Sequence, residues 1–516
     1  MESGKPHPLS AATPGTSPRG VGHLTARLFL LAILFSSYPI FAGIAPPAGL
    51  LFAALLGGYM ALNIGANDAG NNIGPLVGSR VMGLAGAMLF AALFEAAGAL
   101  LAGDEVISTI RQGIILPTQT GDDAIVRVML AALLAAALWL NFATLTGTPV
   151  STTHTIIGGV LGAGISLGGT AAANWQMIGA ITLGWLVSPL LGGFIAATLL
   201  YLIKRTLMYQ KQMSEAAGRV VPLLLGFMAW SFTSYLLLKG VKASWRFDSA
   251  TALLSGLSIG LGVYLVAKPI IEQRTALLPN TQSAVKRLFN LPLLLGAGLL
   301  SFAHGSNDVA NAIGPLIAIL EVMPVDPLLP RESLSLWLLL IGALGIPMGL
   351  LMFGHRLIRT IGSEITELDQ LRGFCIVTSV TITVLLASQL GLPVSSTHIA
   401  VGAIFGIGFL REILKTNYAI QLERVRRHHS GQDQEVIEAY LERFEQAAIG
   451  EKGRLLAQLE NAGEGLRLNH KERTSLQRVY RRELVKRSAL LRILAAWFIT
   501  LPATGTLASM IYWLLS

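Results

Sequence analysis

Apolar stretches long enough to cross a ~30 Å hydrocarbon layer recur along the whole chain, separated by short polar turns. They run roughly over 26–44, 48–78, 82–102, 125–147, 155–170 and 174–203. A second series covers roughly 219–238, 249–267, 290–321, 334–354, 373–391, 398–410 and 490–515. This spacing predicts an all-α polytopic membrane protein of about 12–13 transmembrane segments. One long region breaks the pattern. Residues 412–489 are strongly charged, yet Val436, Ile437, Tyr440, Leu441 and Phe444 keep helical spacing, which predicts amphipathic helices in a solvated insert.

The opening "MESGKPHPLSAATPGTSPRG" is rich in Pro, Gly and Ser and reads as a disordered tail. The apolar run behind it reads as a retained span rather than a signal peptide, because the run is long and its cleavage site weak. Composition agrees with the pattern: 53% of residues are hydrophobic and 13% charged, where a soluble domain carries about 25% charge. The net charge of +9 is therefore a matter of which loops hold Lys and Arg, not a sign of nucleic-acid binding.

Arg80, the cluster from Lys204 to Arg219, the loop from Lys268 to Arg287 and the group Arg356, Arg359 and Arg372 mark one side of the membrane. Loops 103–124 and 322–333 are poor in basic residues and fall on the other. Loop 239–248, with Lys239, Lys242 and Arg246, is an exception. The alternation places the N-terminus and the 412–489 insert in the cytoplasm. A single cysteine, Cys375, rules out an intrachain disulfide.

Inside this apolar background lie two polar blocks. "NIGANDAGNNIGPL" at 63–76 returns as "AHGSNDVANAIGPL" at 303–316, matching Asn67 to Asn307, Asp68 to Asp308 and Asn71 to Asn311. "GTPVSTTHTIIGGVLGAG" at 147–164 returns as "GLPVSSTHIAVGAIFGIG" at 391–408, matching Ser151 to Ser395, Thr153 to Thr397 and His154 to His398. Two copies of one unit follow. The charge alternation sends segment 48–78 and segment 290–321 through the membrane in opposite directions, so the copies are inverted. Packing alone explains repeated glycines, but not repeated Asn, Asp, Ser, Thr and His. Inverted repeats with polar interruptions at matching places point to a secondary transporter with a midplane site, and intramembrane acids are functional by default.

The expected organisation is a tail over 1–23, an extra span over 24–44, transport repeat 1 over 45–204 and connecting spans over 205–287. Transport repeat 2 follows over 288–411, then the cytoplasmic helical insert over 412–489 and a last span over 490–516. The Pro-Val-Ser segments are compatible with re-entrant hairpins or full crossings, since parity is the same for both.

Ser and Thr before a Gly-rich helix make good N-caps, and a helix start offers free N–H groups and a positive dipole end suited to an anion. Yet no Lys or Arg occurs between Arg27 and Arg80, Arg127 and Lys204, Arg287 and Arg331, or Arg372 and Arg411. All four polar motifs lie in those windows. An anion beside Asp68 and Asp308 without a fixed cation costs several kcal/mol or more. The counter-charge must then travel with it, as Na⁺ held by oxygens of side chains and unwound backbone or as protons on the carboxylates. This is cation–anion symport.

These motifs resemble those of the inorganic phosphate transporter (PiT) family, with its duplicated Gly-Ala-Asn-Asp-Val-Ala-Asn-Ala and Pro-Val-Ser-Thr-Thr-His blocks. The resemblance covers most of 48–411. It implies Na⁺- or H⁺-coupled symport of inorganic phosphate across the plasma membrane (the inner membrane in bacteria), an inverted-repeat fold and a homodimer. By that resemblance Ser151, Thr152, Thr153, Ser395, Ser396 and Thr397 hold phosphate, with Asn67 and Asn307 also in contact with it. Asp68, Asp308, Asn71, Asn311 and Glu95 belong to cation coupling, with Na⁺ at Asp68, Asn71, Asp308 and Asn311. No cofactor is expected beyond the co-ion. Ser306 stands where the family has Ala and offers another oxygen, while Val377 stands where many relatives have an acid, which leaves the coupling ion open.

Other classes fit less well. Sulfate is a tetrahedral oxyanion too, and relatives include sulfate permeases, but acceptors such as Asp68 near the anion favour phosphate, which can donate a hydrogen bond. A passive anion channel expects fixed Lys or Arg along its path. An intramembrane metalloenzyme built on His154, His398 and the aspartates lacks any recognised ligand spacing, so no enzymatic activity is expected. His154 and His398 read equally as helix-start structure or as ligands, and Trp175 and Trp185 read as interface anchors.

Overall fold

The computed structural model describes residues 19–40, 47–116, 122–239, 247–324, 331–355, 358, 369–428 and 487–516. Most of the tail and the insert's 429–486, including the amphipathic pattern from Val436 to Phe444, lie outside the described residues. The described residues are almost entirely helical: α1 (Arg19–Ile40), α2 (Ala48–Gly78), α3 (Leu84–Ala102), α4 (Asp104–Gln112), α5 (Asp122–Thr146), α6 (Thr152–Gly168) and α7 (Trp175–Ile203). These are followed by α8 (Met213–Lys239), α9 (Ser249–Ala276), α10 (Gln282–Arg287), α11 (Asn290–Val322), α12 (Arg331–Phe353), α13 (Gln370–Gln389), α14 (Ser396–His428) and α15 (Arg487–Leu515). Among the described residues twelve helices are long and apolar enough to span a membrane, and a shorter apolar helix covers Gly22–Ser37.

The polar blocks do not break their helices. At ~1.5 Å per residue, α2 and α11 are each longer than the hydrocarbon is thick, so they have room to tilt, and both run helical through Asn67–Asp68 and Asn307–Asp308. The polar interruptions there are of composition and not of the helix. Leu, Ala and Ile on either side keep the helix favourable, and the Asn and Asp side chains find partners on other helices. Interruption falls instead at the Pro-Val-Ser turns, where α5 gives way to α6 and α13 to α14. Gly147 and Gly391 open these turns with φ of 71° and 65°, a left-handed backbone that costs other residues roughly 1–2 kcal/mol.

Helices α2 and α11 form the centre and pack on each other. Around them α2 lies on α12 and α5, and α11 lies on α3 and α13. The seams are closed by small residues, as membrane helices require: a Cβ on Gly65 would strike the carbonyl of Ile346, and one on Gly305 that of Glu95. Two further pairs cross between halves. Helix α14 packs on α7 and α6 on α15, with Gly406 against Gly193 and Gly162 against Gly505. The last span thus sits on α6 as α7 sits on α14. Helix α14 also continues unbroken past residue 411 to His428. Helices α8 and α9 form a hairpin whose outer face, with Leu254, Leu257 and Leu261 exposed, is suited to lipid.

Candidate substrate and cation site

The aspartates meet at the centre. Asp68 on α2 and Asp308 on α11 are fully buried, and both turn a carboxylate oxygen to one hydroxyl: Thr152 Oγ1 lies 3.0 Å from Asp68 Oδ2 and 2.9 Å from Asp308 Oδ2. That hydroxyl has one proton and can donate to only one carboxylate at a time. The other oxygen–oxygen contact needs a proton or cation of its own. Thr397 Oγ1 donates to Asp68 Oδ1 at 3.1 Å and accepts from Asn71 Nδ2 at 2.6 Å. Asn71 Nδ2 also lies 3.3 Å from Asp68 Oδ1. Across the site Asn311 Nδ2 reaches Thr152 and Thr153 at 3.4 Å each. Both amides spend their N–H groups this way, leaving Asn71 Oδ1 and Asn311 Oδ1 buried without a partner among the described residues, as is Ser396 Oγ. Unpaired buried oxygens beside two carboxylates fit a hard cation.

One residue here was not singled out from the sequence. His304 is fully buried, with Nδ1 3.0 Å from Glu95 Oε1 and Nε2 3.5 Å from Asp68 Oδ2 and 3.4 Å from Asp308 Oδ2. Glu95 Oε1 also accepts from Asn72 Nδ2 at 2.6 Å. A single imidazole therefore faces three buried carboxylates. Even protonated, it balances only one. Glu95, expected in cation coupling, reaches Asp68 and Asp308 through His304, and the signal that could have found His304 is its place four residues before Asp308, one helical turn away.

The Pro-Val-Ser turns bring the helix starts together. Ser151 Oγ caps α6 by accepting from His154 N at 3.1 Å, and Ser395 Oγ accepts from His398 N at 3.3 Å. Each cap uses the serine hydroxyl for its own helix and satisfies one of several orphan N–H groups. Thr153 Oγ1 donates to Val394 O of the opposite turn at 3.0 Å. Asn67 and Asn307, expected against substrate, are hydrogen-bonded to the turns. Asn67 Oδ1 accepts from Val150 N at 3.3 Å. The Asn307 amide is best satisfied with Nδ2 donating to Val394 O (3.1 Å) and Asp308 Oδ1 (3.2 Å) while Oδ1 accepts from Ser388 Oγ (3.0 Å).

Four rings form a row across the junction of the halves: Trp185 tilted by 30° against His154 at 3.7 Å between centroids, His154 tilted by 41° against His398 at 4.5 Å, and His398 stacked on Trp497 at 3.6 Å. Trp185 is buried and donates from Nε1 to Pro393 O at 3.1 Å, so it is not an interface anchor. Half-exposed Trp175 keeps that reading. Ser306 donates to its own helix at Ala303 O, 2.9 Å away, and Val377 is buried in the apolar core.

The sequence profile of the phosphate transporter family matches residues 64–508. A Helicobacter pylori (strain ATCC 700392 / 26695) protein named "putative phosphate permease" is 46% identical over 498 residues, covering 94% of this chain and 92% of its own. One of the same name from Chlamydia trachomatis is 39% identical over 396 residues, 72% of this chain and 92% of its own. A solved structure titled as the sodium-dependent phosphate transporter superposes with a TM-score of 0.72 at 28% identity, covering 91% of this chain and 99% of that one. With twelve apolar helices among its described residues and these matches along most of its length, the chain is a multi-pass membrane protein of the phosphate transporter family.

Proposed function

We propose that this protein is a secondary active symporter that carries inorganic phosphate with a cation, and that the cation is Na⁺. The observation that carries the reading is Asp68 and Asp308, from different halves, turned to one Thr152 hydroxyl with a single imidazole beside them. Such a centre is short of positive charge before any anion arrives. The unpartnered oxygens of Asn71 and Asn311 favour Na⁺ over H⁺, and the sodium-dependent title of the structural neighbour points the same way. Phosphate would lie between the two helix starts, held by Thr152, Thr153, Ser396 and Thr397 and by first-turn N–H groups. Ser151 and Ser395 shape those starts as caps, and Asn67 and Asn307 fix the turns before them.

In this reading the two transport units are inverted, and the last span belongs with the second, because α15 stands to α6 as α7 stands to α14. The 412–489 segment then interrupts the second unit. Rocking of the units around the shared site would expose it to each side in turn.

Uptake of labelled phosphate into proteoliposomes, with Na⁺ and pH gradients imposed separately and sulfate as competitor, tests the reading. A Na⁺ gradient should drive accumulation and sulfate should compete poorly. Uptake driven by a pH gradient alone would make the co-ion H⁺, and phosphate flux with no cation requirement would overturn symport.

A further inference from the structure

The basic loop that broke the charge alternation has a structural counterpart. Lys239 ends α8 yet is buried, because its ammonium pairs with Glu105 in the first turn of α4. It also donates to the carbonyl of Ser388, 3.2 Å away, at the end of α13. Two residues on α4 therefore grip the second Pro-Val-Ser turn, since Thr109 Oγ1 donates to Gly391 O at 2.7 Å. Ser388 is fully buried, and its hydroxyl donates to Asn307, whose amide donates in turn to Asp308. A continuous path runs from the Lys239–Glu105 pair through Ser388 and Asn307 to the central carboxylate. One helical turn before Lys239, the Tyr235 hydroxyl lies 3.5 Å from Ser306 Oγ, so α8 also touches α11 beside the Asn-Asp block.

The first Pro-Val-Ser turn is built differently. Thr144 takes the place of Ser388 and receives Asn67 Nδ2 at 3.4 Å. The turn is held by Asn67 Oδ1 on Val150 N and by backbone bonds, with the hydroxyl bond of Thr146 to Thr148 at 3.3 Å beside them. By the charge alternation, Lys239, Glu105 and the second turn fall on the outer side and the first turn on the inner side. A partly buried ion pair is suited to a two-state contact. Made, it offsets the desolvation of both groups; broken, each charge must return to water.

We propose that Lys239 is a positioning residue for transport: with Glu105 it latches the second Pro-Val-Ser turn over the outer side of the site, and the site opens outward when this pair parts. The proposal rests on the alternating-access reading above.

The test uses full-length protein in oriented proteoliposomes, with Cys375→Ala and Leu392→Cys as background. Leu392 is half-buried in the latched turn. Labelling of the 392 thiol by a membrane-impermeant maleimide from the outer side is followed in K239M, E105Q and the charge swap K239E/E105K. K239M and E105Q should each speed labelling about tenfold, the change that ~1.4 kcal/mol of lost closure gives. The swap should bring it back toward the parent rate, which a loss of general packing would not do. T109V, which removes one hydroxyl and no charge, should give a smaller rise and serves if the charge variants fail to fold. Labelling needs no transported solute, so it reports on the latch even if phosphate uptake proves absent. Unchanged labelling in the folded single variants, or in T109V where only that folds, would overturn the proposal.

Discussion

The two Asn-Asp helices meet nearly identical motifs at the site but differ behind it. On one side Asn72, Glu95 and His304 form a buried hydrogen-bonded set. At the matching places on the other side stand Ala312, Ile346 and Ile64, all in one apolar cluster. The glycine seams make the match, since Gly305 abuts the Glu95 carbonyl as Gly65 abuts that of Ile346. A duplicated frame thus carries one polar and one apolar backing. The lesson is that the halves share a centre but are not equivalent. The imidazole and the third carboxylate stand against the central aspartates from one side only.

The comparison breaks most severely at what the halves share. Asp68→Asn and Asp308→Asn should each abolish Na⁺-driven phosphate uptake. Removing one member of a buried charged set costs about 3 kcal/mol or more, beyond a hundredfold in affinity at ~1.4 kcal/mol per tenfold. Both variants should still reach the membrane and elute as folded protein. If either takes up phosphate at the parent rate under a Na⁺ gradient, the shared centre is not the coupling site.

The asymmetry itself is sharpened by Glu95→Gln against Ile346→Val. Glu95→Gln keeps a side-chain oxygen for Asn72 but removes the charge facing His304. A hydrogen bond to a charged group contributes roughly 1.5–3 kcal/mol, so the Na⁺ concentration for half-maximal uptake should rise about ten- to a hundredfold. Ile346→Val deletes one buried methylene and should lower stability by about 0.5–1.5 kcal/mol, leaving Na⁺ dependence in place. Equal shifts in Na⁺ dependence for the two variants would mean that the polar backing has no special role.

This asymmetry also marks the limit of what the sequence reveals. The repeat made Asn67, Asp68, Asn71 and their partners visible because each position is written twice. His304 stands inside the same quoted blocks but is written once, against Ile64, so a repeat-based reading passes over it. The spans were legible because hydrocarbon thickness imposes their length. The pairing of α15 with α6 was not, because it depends on glycine seams between segments hundreds of residues apart. Trp185 looked like an interface anchor since an indole suits both a membrane surface and a row of rings, and only packing tells them apart. Lys239 looked like an exception to charge alternation because its partner, Glu105, lies on a distant element.

Smaller effects test what the two turns share. Gly147→Ala and Gly391→Ala each force a side chain into left-handed backbone, at roughly 1–2 kcal/mol. A Cβ at Gly147 meets nothing within 4 Å, whereas one at Gly391 comes within 3.4 Å of Thr109 Oγ1. A contact at 3.4 Å is ordinary van der Waals packing, so backbone strain decides, and both should lower the melting temperature by similar amounts. A clearly larger loss for either variant would show that its turn is the more tightly held.

The smallest expected effect lies away from the site, at the start of α13. Asp369 accepts from Arg372 N at 2.9 Å as the helix cap and pairs with Lys286 at 2.7 Å. Burial would raise its pKa, but Arg372, Lys286 and the cap bond outweigh that and hold the carboxyl below its ordinary 3.8. A carboxylate whose folded value is depressed stabilises the fold fully above its unfolded value, and that stabilisation is lost as pH falls through the folded value. Purified protein should therefore melt at a lower temperature as pH is taken from 5 toward 3. Asp369→Asn should remove part of that dependence while costing about 1 kcal/mol or less at neutral pH, where an Asn cap still accepts the backbone bond. An unchanged slope between pH 5 and 3 in Asp369→Asn would assign the acid sensitivity to other carboxylates, with the buried central group, which α2, α3 and α11 enclose, the next to be varied.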